Sequence, residues 1–173
     1  MPDGEKRLYL LRHAKSSWKH DGLADHDRPL AGRGRRAAKA MRRHIRDQRI
    51  EPGLVLCSTA RRARETLEGI EPALRRGGVR VESELYGARS AALLARLREL
   101  PGDVTSVMVI GHNPGLEDLA LLLARRGPRL RELEAKFPTG ALATLAFRAP
   151  DWTSLDRGSA ELVDFVRPRD LDA

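Results

Sequence analysis

Three segments of the sequence place a histidine or an arginine shortly after an apolar run. His13 and His112 each follow such a run within two residues, and Arg62 lies five residues beyond another. Each run has the length of a buried strand, and ligands in open α/β sheets bind beyond the carboxyl ends of the strands. Taken singly, each residue is also typical of an exposed strand end or a helix start. In combination they predict one pocket with two histidines and at least two arginines, because Arg12 directly precedes His13.

A pocket of this composition is suited to phosphoryl transfer. Guanidinium groups bind phosphoryl oxygens through two parallel hydrogen bonds, and their positive charge lowers the pKa of a neighbouring histidine. An imidazole nitrogen is then free to attack phosphorus while the arginines neutralise the oxygens. Arginine provides this charge without a metal ion, and the sequence has no G-x-x-x-x-G-K-[ST] phosphate loop. We therefore expect transfer to histidine and then to water, with no metal and no cofactor.

The other candidate groups lack this setting. His20, His26 and His44 do not follow strands, so we expect them to be exposed, and the spacing around the first two does not suit zinc. Cys57 lies inside a predicted buried strand, which favours a packed thiol over a nucleophile. It is the chain's one cysteine, which excludes a disulfide framework and a thiolate metal cluster.

Alternating strands and helices must position these residues. Strands are predicted at 6–11, 53–57, 79–84, 104–110, 141–147 and 161–166. Helices are predicted at 32–48, over the apolar positions of 63–74 and 93–100, and from 113 onward, with Ser58 or Thr59, Ser90 and Asn113 as caps. A polar loop is expected at 14–30, a turn at 75–78 and an exposed loop at 148–158. The pattern predicts one α/β domain over residues 1–173, with a mostly parallel open sheet and helices on both faces.

Composition and charge limit the other classes of protein. No apolar run approaches the ~20 residues of a membrane span, and the first apolar stretch is too short for a signal peptide, so we expect a cytoplasmic protein. The net charge is +8; residues 1–64 carry 17 Lys and Arg against 7 Asp and Glu, and residues 65–173 carry 15 against 17. The basic half faces an acidic or phosphorylated partner, or it is a solvated surface. Nucleic-acid binding is the weaker alternative, because aromatic residues make up only 4% of the chain and no binding motif is present.

The motifs in their order resemble those of the histidine phosphatase superfamily, which includes the cofactor-dependent phosphoglycerate mutases. LRHAKS at 11–16 resembles the Arg-His-Gly signature, and STARRARET at 58–66 resembles the Ser-Pro-x-x-Arg-Ala-x-Gln-Thr stretch. VIGHNPG at 109–115 resembles the segment with the second histidine. This alignment selects Arg62 over Arg61 as the second phosphate-binding arginine.

Further motifs resemble the SixA-like phosphohistidine phosphatase branch of that superfamily. They are RHAKS at 12–16, DRPL at 27–30, ELY at 84–86, GHNPG at 111–115 and FPTG at 137–140. The resemblance runs from about residue 7 to residue 147 and implies a phosphoglycerate mutase-like three-layer sandwich.

The resemblance also implies roles for the site residues. His13 would be the nucleophile that becomes phosphohistidine, Arg12 and Arg62 would bind the phosphoryl oxygens, and His112 would add a hydrogen bond to them. Neither a metal nor an organic cofactor is implied. Position alone suggests three further phosphate-side contacts, Lys15, Ser16 and Arg28.

The sequence departs from the family pattern at four places. Ala14 replaces the usual glycine, Trp18 stands where many relatives have a phosphate-contacting asparagine, and Ala31 stands where a Thr or Ser often caps the next helix. The acid that protonates the leaving group in many relatives has no clear match, and Glu84 is the nearest candidate.

The substrate is predicted from what the sequence leaves room for. Only 49 residues separate Arg62 from His112, and the predicted elements use most of them, so little remains for a lid over a small substrate. An open site and a missing acid favour phosphohistidine in a phosphoprotein, including a histidine-phosphorylated signalling domain. A small phosphate ester or a nucleotide is the alternative. A non-catalytic phosphate-binding module is disfavoured, because a binder does not need two intact histidines.

Overall fold

One seven-stranded sheet runs through the computed structural model, which describes residues 4–75 and 77–171. The strands are β1 (Glu5–Arg12), β2 (Leu54–Ser58), β3 (Gly78–Glu82), β4 (Ser106–Gly111), β5 (Ala124–Arg126), β6 (Leu142–Arg148) and β7 (Ala160–Val166). Their order across the sheet is β3-β2-β4-β1-β6-β7-β5. The four strands β3, β2, β4 and β1 are mutually parallel, β6 pairs antiparallel with β1 and β7, and β5 is parallel to β7. Within the described residues β6 alone therefore runs opposite to the rest, and the predicted mostly parallel sheet is confirmed.

The strand register brings three carboxyl ends to one edge of the sheet. Arg12 of β1 lies opposite Gly111 of β4, and Cys57 of β2 lies opposite Ile110. The residues that follow these strands, His13 and His112 among them, therefore emerge side by side.

Helices cover both faces of the sheet. They are α1 (Gly32–Asp47), α2 (Arg61–Ile70), α3 (Ser90–Arg98), α4 (Gly115–Leu123), α5 (Leu130–Ala135) and α6 (Pro168–Leu171). Successive strand residues point to opposite faces. Leu8 and Leu10 of β1 accordingly join the core beneath α3, α4 and α5, whereas Tyr9 and Leu11 join the core beneath α1 and α2. This burial on both faces explains why the central strands read as continuous apolar runs.

Two glycines allow α1 to lie close to its neighbours. A Cβ on Gly34 would stand 2.1 Å from the carbonyl oxygen of Lys15, and a Cβ on Gly69 would stand 2.7 Å from the Ala38 Cβ. Helix α1 therefore packs tightly on the chain that follows β1 and on α2. This packing fixes the loop that carries His13.

Several local predictions were wrong. The segment 148–158 is exposed only in part: Trp152 is fully buried and its indole Nε1 donates to the Val104 carbonyl at 2.8 Å, since the apolar residues among the turn formers pack on the core. The short elements β5 and α5 were not predicted. His44 is half-buried on α1. Residue 76 of the predicted turn at 75–78 lies outside the described residues.

The helix starts also differ from the prediction. The residues directly before α2, α3 and α4, which are Ala60, Arg89 and Pro114, form no side-chain cap bond. Asn113 still assists α4, because its Oδ1 accepts from the Glu117 amide at 3.2 Å. No described helix is both long enough and apolar enough to cross a membrane.

Candidate active site

The two histidines and two arginines predicted from the sequence lie together at the carboxyl edge of the sheet. The rings of His13 and His112 are 5.2 Å apart between centroids, with their planes inclined at 52°. Both histidines and Arg62 are buried. Arg12, the last residue of β1, is half-buried, and its charge acts on both histidines. The strand ends thus assemble the predicted pocket.

Helix α2 presents Arg62 to this pocket and Arg61 to solvent. Adjacent helical residues point about 100° apart. Arg62 lies on the buried face with Ala63 and Thr66, whereas Arg61 is exposed and pairs with Glu65 at 3.1 Å. The geometry therefore agrees with the sequence alignment, which selects Arg62.

The structure fixes the protonation of His13. Its Nδ1 lies 2.8 Å from the carbonyl oxygen of Ala14, and a carbonyl only accepts, so Nδ1 carries the proton. Burial, together with the nearby arginines and His112, lowers the pKa of His13 to about 3, against the effect of this hydrogen bond. The imidazole is neutral near pH 7, and its Nε2 holds a free lone pair.

His112 has the complementary arrangement. Burial, followed by the charge of Arg62, lowers the pKa of His112 to about 4. Its Nε2 lies 2.7 Å from the Ser58 hydroxyl, and that oxygen already accepts from the Ala60 amide at 3.2 Å. When the hydroxyl donates to Nε2, the proton of His112 resides on Nδ1, which becomes a donor. Ser58 was not predicted as a site residue, although it opens the STARRARET stretch.

Three buried nitrogen atoms of this cluster have no hydrogen-bond partner among the described residues. They are Arg12 Nε, Arg62 Nε and His112 Nδ1. Buried donors are almost always paired in folded proteins, and leaving one unpaired costs about 1–3 kcal/mol. A ligand with several acceptor oxygens, such as a phosphoryl group, would satisfy all three.

An acidic side chain that the sequence did not predict closes one side of the site. Asp25 accepts from Arg62 at both its carboxylate (3.0 Å) and its backbone carbonyl (2.7 Å). The Tyr86 hydroxyl donates to the same carboxylate at 2.5 Å. This bond, together with Arg62, lowers the pKa of Asp25 to about 2, so the carboxylate is ionised near neutral pH. Tyr86 belongs to the ELY motif at 84–86. That motif was the only sequence signal for the contact between Tyr86 and Asp25.

The ring of Tyr86 also connects the site to His26. It stands edge-on to His112 at 5.5 Å between centroids and to His26 at 4.8 Å. His26 lies 2.8 Å from the Thr59 hydroxyl through its Nε2. The expectation that His26 is exposed was wrong: it is half-buried at the rim of the site.

Ser16 and Arg28 lie beside the site and contact each other. The Arg28 guanidinium donates to the Ser16 hydroxyl at 2.8 Å and to the Asp25 carboxylate at 3.1 Å. The guanidinium carbon of Arg28 also lies over the exposed ring of Trp18, 3.5 Å from the ring centroid. Arg28 is therefore joined to Arg62 through Asp25.

Lys15 and Glu84 are placed differently. Lys15 is exposed and lines a separate groove. Glu84 is exposed in the turn Ser83–Leu85, and no hydrogen bond or ion pair joins it to His13, His112 or Arg62 in the described part of the chain. The acid that contacts Arg62 and Arg28 is Asp25.

The thiol of Cys57 is packed in the core, as predicted. It is fully buried in β2, and burial raises its pKa to about 12. A thiol in this state is not a nucleophile near neutral pH. In residues 4–75 and 77–171 no three His, Cys, Asp or Glu side chains are grouped to hold a metal ion.

Comparison with known proteins gives consistent matches. Residues 8–138 match the family model of the histidine phosphatase superfamily, branch 1. An uncharacterized protein from Mycobacterium tuberculosis is 39% identical over 165 residues, which cover 92% of this chain and all of that protein.

Solved structures show the same fold over almost the whole chain. A proposed phosphohistidine phosphatase SixA from Nakamurella multipartitia superposes with a TM-score of 0.82 and 32% identity, covering 97% of this chain and 99% of that one. The protein histidine phosphatase SixA complexed with tungstate gives a TM-score of 0.72 and 28% identity, covering 96% and 99%.

Proposed function

The chain belongs to the histidine phosphatase superfamily, and from this premise we propose that it hydrolyses phosphohistidine in a phosphoprotein, through a covalent intermediate on His13. The observation that carries the proposal is a neutral His13, with Nε2 unprotonated, beside three buried nitrogen atoms, two of them arginine donors, that have no hydrogen-bond partner among the described residues. A nucleophile and a set of oxyanion donors are the two parts that phosphoryl transfer needs. The SixA names of two similar structures support the same substrate class.

In the first step His13 Nε2 attacks phosphorus. The new N–P bond forms as the bond from phosphorus to the substrate's imidazole breaks. The proton stays on Nδ1, where it is donated to the Ala14 carbonyl, and this hydrogen bond stabilises the positive charge that the attack creates on the ring. Arg12 and Arg62 bind the phosphoryl oxygens, and His112 donates to them from Nδ1.

In the second step water attacks the phosphohistidine. His13 departs as a neutral imidazole, because Nδ1 still holds its proton, and inorganic phosphate forms. The same hydrogen bond to Ala14 thus makes His13 a good nucleophile and a good leaving group.

The acid–base state of the site favours phosphohistidine over alkyl phosphates. Asp25, the acid in contact with Arg62, is ionised near neutral pH and cannot donate a proton. A phosphate ester of an alcohol expels an alkoxide that needs such a proton. A phosphohistidine protonated on its other ring nitrogen instead expels neutral imidazole, whose conjugate acid has a pKa near 6.5.

The rim of the site suits a protein surface. Trp18 is 73% exposed and contacts Arg28. Tyr86 is 36% exposed and contacts His112. Exposed aromatic side chains are common anchors in protein interfaces. Between Arg62 and His112 the described residues form the rest of α2, then β3, α3, β4 and short turns, which leaves this rim uncovered by an inserted domain.

A substrate panel assayed in EDTA tests the proposal. We expect a phosphohistidine peptide to be hydrolysed with a kcat/KM at least about a hundredfold above that of serine, sugar and nucleoside monophosphates. Addition of Mg²⁺ or Zn²⁺ should bring no gain. A preference for a small phosphate ester, or activity that chelation abolishes and one metal restores, would contradict the proposal.

The pKa values predict how phosphoenzyme formation depends on pH. A free histidine loses its lone pair below pH ~6.5, whereas burial holds the pKa of His13 to about 3 and that of His112 to about 4. The rate of phosphoenzyme formation should therefore stay flat from pH 7 to 5 and fall only below pH 5. The measurement is rapid quench with a substrate whose own protonation does not change over this pH range. A loss centred near pH 6.5 would show that His13 is solvated.

A further inference from the structure

A basic groove of about 540 Å³ has Lys15, two residues after His13, in its lining. Its walls are the first turns of α1, the end of α5, and Arg167 with the start of α6, and Lys15, Pro138 and Thr139 complete the lining. Six basic side chains line it: Lys15, Arg33, Arg36, Lys136, Arg167 and Arg169. One acidic side chain, Glu132, is also present.

The charges in this groove are poorly compensated. Arg167 pairs with Asp170 at 3.0 Å, and Glu132 lies 3.8 Å from Arg129, which does not line the groove. Within the described part of the chain, the other five basic side chains have no ion pair or side-chain hydrogen bond, and all five are exposed. Like charges held in one concave surface create a positive potential that attracts an external anion.

The floor of the groove is attached to the strand end that carries His13. The Gly140 amide donates to the carbonyl oxygens of Arg12 (3.1 Å) and His13 (3.0 Å). A Cβ on Gly140 would lie 3.0 Å from Pro168 and 3.8 Å from Ala37, two residues of the groove lining. Lys15, at the near end of the groove, follows His13 by two residues. These backbone contacts place the groove beside the segment that carries His13.

We propose that this groove is a docking site for an acidic segment of the protein substrate, next to the phosphorylated residue. The inference rests on the proposed function, because it takes the reactive phosphoryl group to be part of a polypeptide. The described lining contains alanine, proline and threonine between the cations and no aromatic side chain. Single-stranded nucleic acids are usually held by aromatic stacking, so the lining fits an acidic peptide better.

A direct binding measurement tests the groove without catalysis. Two fluorescent, unphosphorylated peptides of equal length carry either four glutamates or four glutamines, and fluorescence anisotropy reports their affinity. The acidic peptide should bind at least about tenfold more tightly than the neutral one and should weaken as salt is raised. The double variant Arg33→Glu/Arg36→Glu should lose that tenfold preference.

A matched control lies on the same helix. The variant Lys39→Glu/Arg42→Glu changes the same number of charges at the same spacing, outside the groove lining. It should keep the affinity within about twofold of the wild type. Equal loss in both variants, equal binding of the two peptides, or tighter binding of an oligonucleotide of the same charge would each overturn the proposal.

The same peptides with a phosphohistidine beside the charged segment separate this inference from the proposed function. The acidic flank should lower KM by about tenfold at unchanged kcat, and Arg33→Glu/Arg36→Glu should remove that gain without altering hydrolysis of p-nitrophenyl phosphate. If the acidic peptide binds and neither phosphopeptide is hydrolysed, the phosphohistidine assignment fails and the acidic-peptide site stands. If both are hydrolysed with the same KM, the docking proposal fails and the phosphohistidine assignment stands.

Discussion

Replacing His13 with alanine is expected to lower kcat/KM for a phosphohistidine peptide by at least about 10⁴-fold, or ~5.5 kcal/mol. The reason is that no other side chain in the pocket combines a neutral nitrogen lone pair with the neighbouring donors. His112 has its Nε2 engaged by Ser58, and Cys57 is a buried thiol with a raised pKa. The measurement is single-turnover hydrolysis, with thermal unfolding to show that the variant is folded.

Trapping the intermediate makes this prediction specific to His13. Wild-type protein quenched in alkali after mixing with radiolabelled substrate should carry a label that is stable to alkali, lost in acid and confined to the peptide with His13. The matched control is His20→Ala, which removes an exposed histidine from the loop after β1 and should leave turnover unchanged. Label on a serine or on Cys57 would show that the nucleophile has been misidentified.

The fold could be predicted from the sequence where one local signal determines the structure. The apolar runs of β1, β2 and β4 are buried on both faces, so their ends were predicted within one or two residues. Strand β3 was also predicted, but its Val79 and Val81 remain exposed at the edge of the sheet. The alternation of apolar and polar residues predicts that a strand is present. Which face of the strand is buried depends on the helices packed on the sheet.

The sequence predicted the histidines and arginines at the centre of the candidate site but not the residues at its rim. Strand ends and family motifs located His13, Arg62 and His112. The contact between Asp25 and Arg62 spans 37 residues of sequence and begins in a polar loop without periodicity, so no local pattern indicates it. The same holds for Trp152, which packs in the core and donates to Val104, 48 residues earlier in the chain, so its turn-forming neighbours do not indicate its burial.

Replacing Arg62 with alanine is expected to have the second-largest effect, a fall in kcat/KM of at least about a hundredfold, or ~2.7 kcal/mol of transition-state stabilisation. Arg62 is buried, its Nε has no partner among the described residues, and its two terminal nitrogens are held by Asp25 at 2.7 and 3.0 Å. A guanidinium fixed in this way can offer Nε to a phosphoryl oxygen without having to reorganise.

Its neighbour on α2 provides the control. Arg61 has the same charge, but its side chain is 47% exposed and engaged by Glu65, so Arg61→Ala should cost less than about tenfold, the effect of a residue that only steers anionic substrates. Lysine at position 62 should recover little of the activity, because an ammonium group keeps the charge and cannot hold both Asp25 contacts while donating to phosphate. Steady-state kinetics of the three variants, with thermal unfolding of each, measures all of these differences. A larger loss in Arg61→Ala than in Arg62→Ala would mean that the alignment is displaced by one residue and that the phosphate site is built around the other face of α2.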